Sequence, residues 1–226
     1  MAGTELRTVR VWDLPTRLFH WALALCALGL LVTGKIGGEA MAWHARLGYA
    51  VASLLLFRAA WGVVGGHWSR FATFTYSPRV ILDHLRGRSA AGLAIGHSPL
   101  GSASVYALLA LLAAQVATGL FSADLEEFAG PLNVFVSNAT ARLVTAYHKN
   151  IGEPALIALV LLHVAAVAYY HLRRGLNLIG PMVHGDKTLA EPAPASRDDW
   201  RTRVLAAVLL ILAAGAIAAL VSLGGG

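Results

Sequence analysis

The stretch HKNIGEPALIALVLLHVAAVAYYH, residues 148–171, decides how this chain folds. From Pro154 to Tyr170 it holds no Asp, Glu, Lys or Arg, so it reads as a helix that crosses a membrane. His148 and His163 lie on it 15 residues apart. At 1.5 Å rise per residue that is roughly 22 Å, most of the thickness of a hydrocarbon core. At 100° per residue the two imidazoles end about 60° apart in azimuth. One helix therefore offers an imidazole near each membrane surface, both towards one side. Ionisable groups inside a bilayer are costly without a partner, which makes them functional candidates.

Working outward, the whole chain has the same character. Hydrophobic residues make up 57% and charged residues 13% of the 226, and mean hydropathy is +0.63. That balance belongs to a polytopic membrane protein and not to a soluble domain. Five spans are expected: Leu18 to Thr33, His44 to Val64, Ser102 to Phe121, His148 to His171, and Val204 to Leu223. Gly34 to Ala42 is a tight loop, and His67 to Pro99 a longer one in which Ser77-Pro78 opens a short amphipathic helix through Leu85. Within the Ser122 to Ala146 segment, Leu132 to Val144 is a candidate interfacial helix. The fold class is all-α: a four-helix membrane core over residues 1–184, a cytoplasmic linker over 185–200, and an added transmembrane helix over 201–226. The fifth span has no ionisable group and reads as a lipid-facing anchor or a partner-packing helix.

The net charge of +6 reports topology, not nucleic acid. Arg7, Arg10, Arg17, Arg70, Arg79, Arg86, Arg88, Arg173, Arg174, Lys187, Arg197, Arg201 and Arg203 lie on one side of the spans. The segments between spans on the other side carry only Lys35, Arg142 and Lys149. By the positive-inside rule the N-terminus is cytoplasmic and the C-terminus periplasmic, in a bacterial inner membrane. No cleavable signal peptide is expected, because a long charged leader precedes the first apolar run. The single cysteine, Cys26, excludes an internal disulfide, a thiolate iron–sulfur cluster and a covalent Cys-x-x-Cys-His haem site. It reads as a small buried hydrophobe.

Depth pairs the histidines. His20 lies just inside the cytoplasmic leaflet and His163 on the same half of its span, whereas His44 and His148 each begin a span at the outer surface. His20 with His163, and His44 with His148, would each bring two imidazoles to opposite faces of one haem iron, held between the helices of a bundle. His171 is the rival of His163 for the inner position. Haem propionates call for cations at matching depth: Arg46 and Lys149 on the outer side, Arg17 and Arg58 on the inner. His67, His84, His97 and His184 read as ordinary solvated residues. Asp124, Glu126 and Glu127 make an acidic outer segment that could take protons from a quinol or steer a basic carrier.

The opening Trp12-Asp13-Leu14-Pro15-Thr16-Arg17-Leu18-Phe19-His20-Trp21 resembles the first-helix motif of bacterial cytochrome b561 proteins. That superfamily includes the b-type subunit of membrane-bound nickel–iron hydrogenases. His44-Ala-Arg46-Leu-Gly48, Phe57-Arg58-Ala-Ala-Trp61-Gly62 and the Leu162-His163-Val-Ala-Ala run extend the resemblance, in order, over residues 10 to 175. The resemblance implies a four-helix cytochrome with two non-covalent b haems, ligated by His20, His44, His148 and His163. It also implies exchange of electrons with a quinone, ubiquinone or menaquinone, and with a c-type cytochrome or other redox protein, for which quinol oxidoreductase activity is open. The fifth span departs from the shortest members. Two other classes are weaker. An ion transporter would set carboxylates beside the membrane histidines, where the spans hold essentially none. A cofactor-free anchor subunit accounts for five spans but not for depth-matched histidines.

Overall fold

A computed structural model describes residues 6–88, 95–124 and 128–224. Its helices are α1 (Leu14–Ile36), α2 (Met41–Val64), α3 (Pro78–Leu85), α4 (Pro99–Phe121), α5 (Asn138–Tyr147), α6 (Glu153–Arg174), α7 (Ile179–His184) and α8 (Trp200–Ser222). Its strands are β1 (Arg7–Arg10), β2 (Ala123–Asp124), β3 (Phe128–Ala129) and β4 (Asp186–Leu189). Five stretches are long and apolar enough to cross a membrane: α1, Gly38–Val64, α4, Asn138–Arg174 and α8. Only 6% to 39% of each is buried within the protein. Leu25, Leu28, Leu161, Leu162 and Ile211 point outward, an arrangement that water would penalise and lipid accommodates. The fold is all-α and polytopic, as its hydropathy predicts.

Each span starts some residues earlier than the sequence expectation, and two of these starts have a clear local reason. The first span starts at Leu14 because Asp13 caps it, its Oδ1 accepting from the Thr16 amide at 2.8 Å. The fourth starts at Asn138, where Ser137 accepts from the Thr140 amide at 3.1 Å, so the Leu132 to Val144 candidate begins with a 3-10 turn at Asn133–Phe135 instead. The helix then runs without a break into α6 through a π-helical turn, His148–Gly152. Wider winding in that turn means that the 60° azimuth of an ideal α-helix no longer applies to His148 and His163.

By contacts the chain divides into two compact units. The first comprises Met1–Leu18, Ala59–Ala107 and Leu162–Ala207. Here β1 and β4 pair antiparallel, from Arg7 opposite Leu189 to Arg10 opposite Asp186. The segment read as a linker is thus partly a strand. Gly185 makes the turn into it at φ 94°, where a Cβ would also fall 2.6 Å from the Trp12 carbonyl. Asp13 is fully buried and accepts from Trp61 Nε1 at 3.2 Å and Ser69 Oγ at 2.6 Å, while Thr16 and Ser69 share a 2.7 Å hydrogen bond. Asp198 gathers Arg10 at 2.8 Å, Arg203 at 3.1 Å and the Leu14 amide at 3.1 Å. Burial alone would raise that carboxyl, but these donors and charges hold it below the usual carboxylate range. The amphipathic α3 forms as Ser77-Pro78 predicts, with Ser77 as its cap.

The second unit comprises Phe19–Arg58, Leu108–Leu161 and Val208–Gly226. Its core is Val51, Leu112 and Leu156, with Leu23, Cys26, Leu30, Leu55, Leu108, Leu111 and Val116 packed on it. Four helices, α1, α2, α4 and α6, therefore share one apolar centre in this unit. A cavity of about 400 Å³ lies between α2 (Tyr49, Ala50, Ser53) and α8 (Ala214, Ile217, Ala218, Val221, Ser222). In this unit the fifth span is thus packed on the second. Strands β2 and β3 form a short hairpin, and an ion pair joins Lys35 to Glu153 at 2.5 Å.

Candidate functional site

The second unit brings two of the expected ligands together. His44 stands in the first turn of α2, which follows a short 3-10 turn at Gly38–Ala40, and His148 opens the π turn. Their ring centroids are 6.2 Å apart with planes at 77°. Two imidazoles bound to one metal from opposite faces, each about 2 Å from it, bring their centroids to about 6 Å apart. The separation of the two rings therefore suits a pair that would hold one haem.

Each ring rests on the end of a neighbouring span, and the two supports are alike. The His44 Nδ1 lies 3.1 Å from the Leu30 carbonyl and 3.3 Å from Thr33 Oγ1. The His148 Nδ1 lies 3.2 Å from Thr118 Oγ1. The glycine after each threonine leaves room for the ring. A Cβ on Gly34 would sit 3.2 Å from His44 Cε1, and one on Gly119 would sit 3.2 Å from His148 Cε1. Gln115 on α4 adds a bond from Nε2 to the His148 carbonyl at 3.1 Å. Its Oε1 occupies the place where a Cβ on Gly152 would be, at 1.9 Å. Sequence reasoning missed Thr33, Thr118, Gly34, Gly119, Gln115 and Gly152. The available signal was the Thr-Gly dipeptide, which recurs near the ends of the first and third spans.

The remaining expected residues are placed as follows. His20 is half-buried in the second unit, its ring edge-on to Trp21 at 5.0 Å. His163 is half-buried in the first unit on α6, and His171 on the same helix is exposed. Arg58, on α2, is only 4% exposed. Arg17 gives a hydrogen bond to the Val183 carbonyl at 2.6 Å and lies 3.8 Å from Asp198. Arg46 is exposed and stacks over Trp43 at 5.0 Å. Lys149 pairs with Asp124, while Glu126 and Glu127 lie outside the described residues. His97, expected as a solvated residue, is instead packed between Trp12 at 4.7 Å and Phe74 at 4.3 Å, because its loop folds back on the first unit's aromatic core.

Residues 11–185 match the prokaryotic cytochrome b561 family. The chain is also similar to a probable Ni/Fe-hydrogenase B-type cytochrome subunit of Bradyrhizobium diazoefficiens. The two are 26% identical over 215 residues, which cover 80% of this chain and 86% of the relative. No solved structure matches the chain. With five membrane-length helices and a family match spanning the four-helix region, the chain belongs to the prokaryotic cytochrome b561 family: it is a multi-pass membrane cytochrome that works by electron transfer through b-type haem.

Proposed function

We propose that this cytochrome holds two b haems, one between His44 and His148 and one between His20 and His163, and moves electrons between the quinone pool and a redox partner. The observation that carries the reading is the His44–His148 ring pair at 6.2 Å, with a bare glycine beside each ring. For His20 and His163 the support is their matched depth along the chain and the family's pattern. Bound haem would supply a reversible one-electron couple, and these four histidines would hold it.

The protein's own part is ligation, charge compensation and dryness. Four histidines present neutral nitrogens. Arg46 and Lys149 on the outer side, with Arg17 and Arg58 on the inner, offset propionate charge. For Arg17 and Lys149 that role is shared with Asp198 and Asp124. The Val51–Leu112–Leu156 core keeps water from the second unit, which strengthens every charge interaction inside it. The thirteen-to-three cation split supports a bacterial inner-membrane setting with a cytoplasmic N-terminus and a periplasmic C-terminus.

Ubiquinone or menaquinone is the small redox substrate. The macromolecular partner is a c-type cytochrome or a peripheral oxidoreductase, and the relative's hydrogenase-subunit name favours the second. A dithionite-reduced minus oxidised spectrum with haem quantitation on purified protein tests the reading. Two non-covalent b haems per chain are expected, and one or none overturns the double pairing. His171→Ala should keep both haems while His163→Ala loses one.

A further inference from the structure

The two threonines beside the outer histidines have a chemical role that their hydrogen bonds define. Thr33 Oγ1 lies 2.7 Å from the Gly29 carbonyl, one turn back on α1. Thr118 Oγ1 lies 2.7 Å from the Ala114 carbonyl, one turn back on α4. A hydroxyl has one proton, and a carbonyl only accepts, so each threonine proton is committed to its own helix. What each threonine turns towards its histidine is therefore a lone pair. The Leu30 carbonyl near His44 is likewise an acceptor only. Every partner of His44 Nδ1 and His148 Nδ1 thus demands a proton on that nitrogen. Both rings are set as the Nδ1–H tautomer, which leaves each Nε2 lone pair to bind a metal.

We propose that Thr33 and Thr118 are positioning residues that fix the tautomer and raise the basicity of the two axial imidazoles, holding the potential of the haem between them low. The inference rests on the reading of His44 and His148 as one haem's ligands. An acceptor on the distal N–H pushes electron density towards the metal-bound nitrogen, and such partners are worth about 10–100-fold in metal affinity. A more basic ligand favours the ferric state over the ferrous state. The two sites are alike: His44 has a second acceptor in the Leu30 backbone, and His148 has one in the Gln115 backbone.

The test compares Thr118→Val, Thr118→Ser and Thr33→Val in the purified full-length protein, by haem quantitation and then potentiometric titration. Thr118→Val should raise the midpoint of one haem. A tenfold change in the ferric-to-ferrous affinity ratio corresponds to about 59 mV for one electron. Thr33→Val should shift the same haem in the same direction, and Thr118→Ser should restore the wild-type value. If Thr118→Val sheds a haem, retention of that haem by Thr118→Ser upholds the role of the hydroxyl, and loss from both variants overturns it. Unchanged potentials with both haems bound also overturn it. The underlying pairing is checked separately with His44→Ala and His148→Ala. If neither removes a haem, the ligand assignment is at fault. If both do while the threonine variants are silent, only this inference fails.

Discussion

At the residue scale, the first-helix motif owes much of its identity to one buried carboxylate. Asp13 caps α1 and accepts from Trp61 and Ser69, so three donors, two of them from distant parts of the chain, converge on it. A Cβ on Gly66 would come within 2.3 Å of its Oδ2, which leaves no slack around the group. Removing the acceptor takes a charged partner from these buried donors, a loss that costs about 1–3 kcal/mol. Asp13→Ala should therefore destabilise the detergent-solubilised protein by about that amount, read as a fall of several degrees in Tm. The Trp12-Asp13-Leu14-Pro15-Thr16 run was recognisable as a motif. Its reason was not, because Trp61 and Ser69 lie 48 and 56 residues from Asp13.

At the element scale, the π turn at His148–Gly152 sets how His148, the proposed outer ligand, is presented. Such turns cost regular hydrogen bonding and concentrate at functional sites. Gln115 ties the turn to α4, and Gly152 is the residue that makes room for its amide. In Gly152→Ala the new methyl group displaces the amide and releases the His148 carbonyl. Haem retention at the His44–His148 pair should weaken about tenfold, the low end of what outer partners contribute. Transfer of haem to an apo-acceptor protein measures it. Adding Gln115→Ala vacates the space, so the double variant should lose less than the single variants predict if their effects are independent. Periodicity located this helix from composition alone. A single π turn leaves no periodic trace, since its cause is a contact with another helix.

At the scale of the whole molecule, Asp198 binds together parts that are far apart in sequence. It joins Arg10, the start of α1 and Arg203 at the start of α8, while β1 and β4 pair beside it. Its carboxyl is held below the ordinary value, so folding favours its ionised form. Stability from this group is full above the unfolded pKa of about 3.9 and is lost as pH falls through the lower folded value. Thermal stability should decline on acidification in that window, and Asp198→Asn should flatten that part of the profile. Hydropathy, charge asymmetry and histidine depth are properties of single segments in a bilayer, and they were readable along the chain. They reported five spans and four candidate ligands, while the Trp12 to Trp21 motif and its companions carried the family resemblance. The Thr-Gly supports, the buried Asp13 network, the π turn and the packing of α8 on α2 arose only on folding. Each depends on which side chains meet across long sequence separations, and the close packing that decides this has no counterpart in a linear pattern.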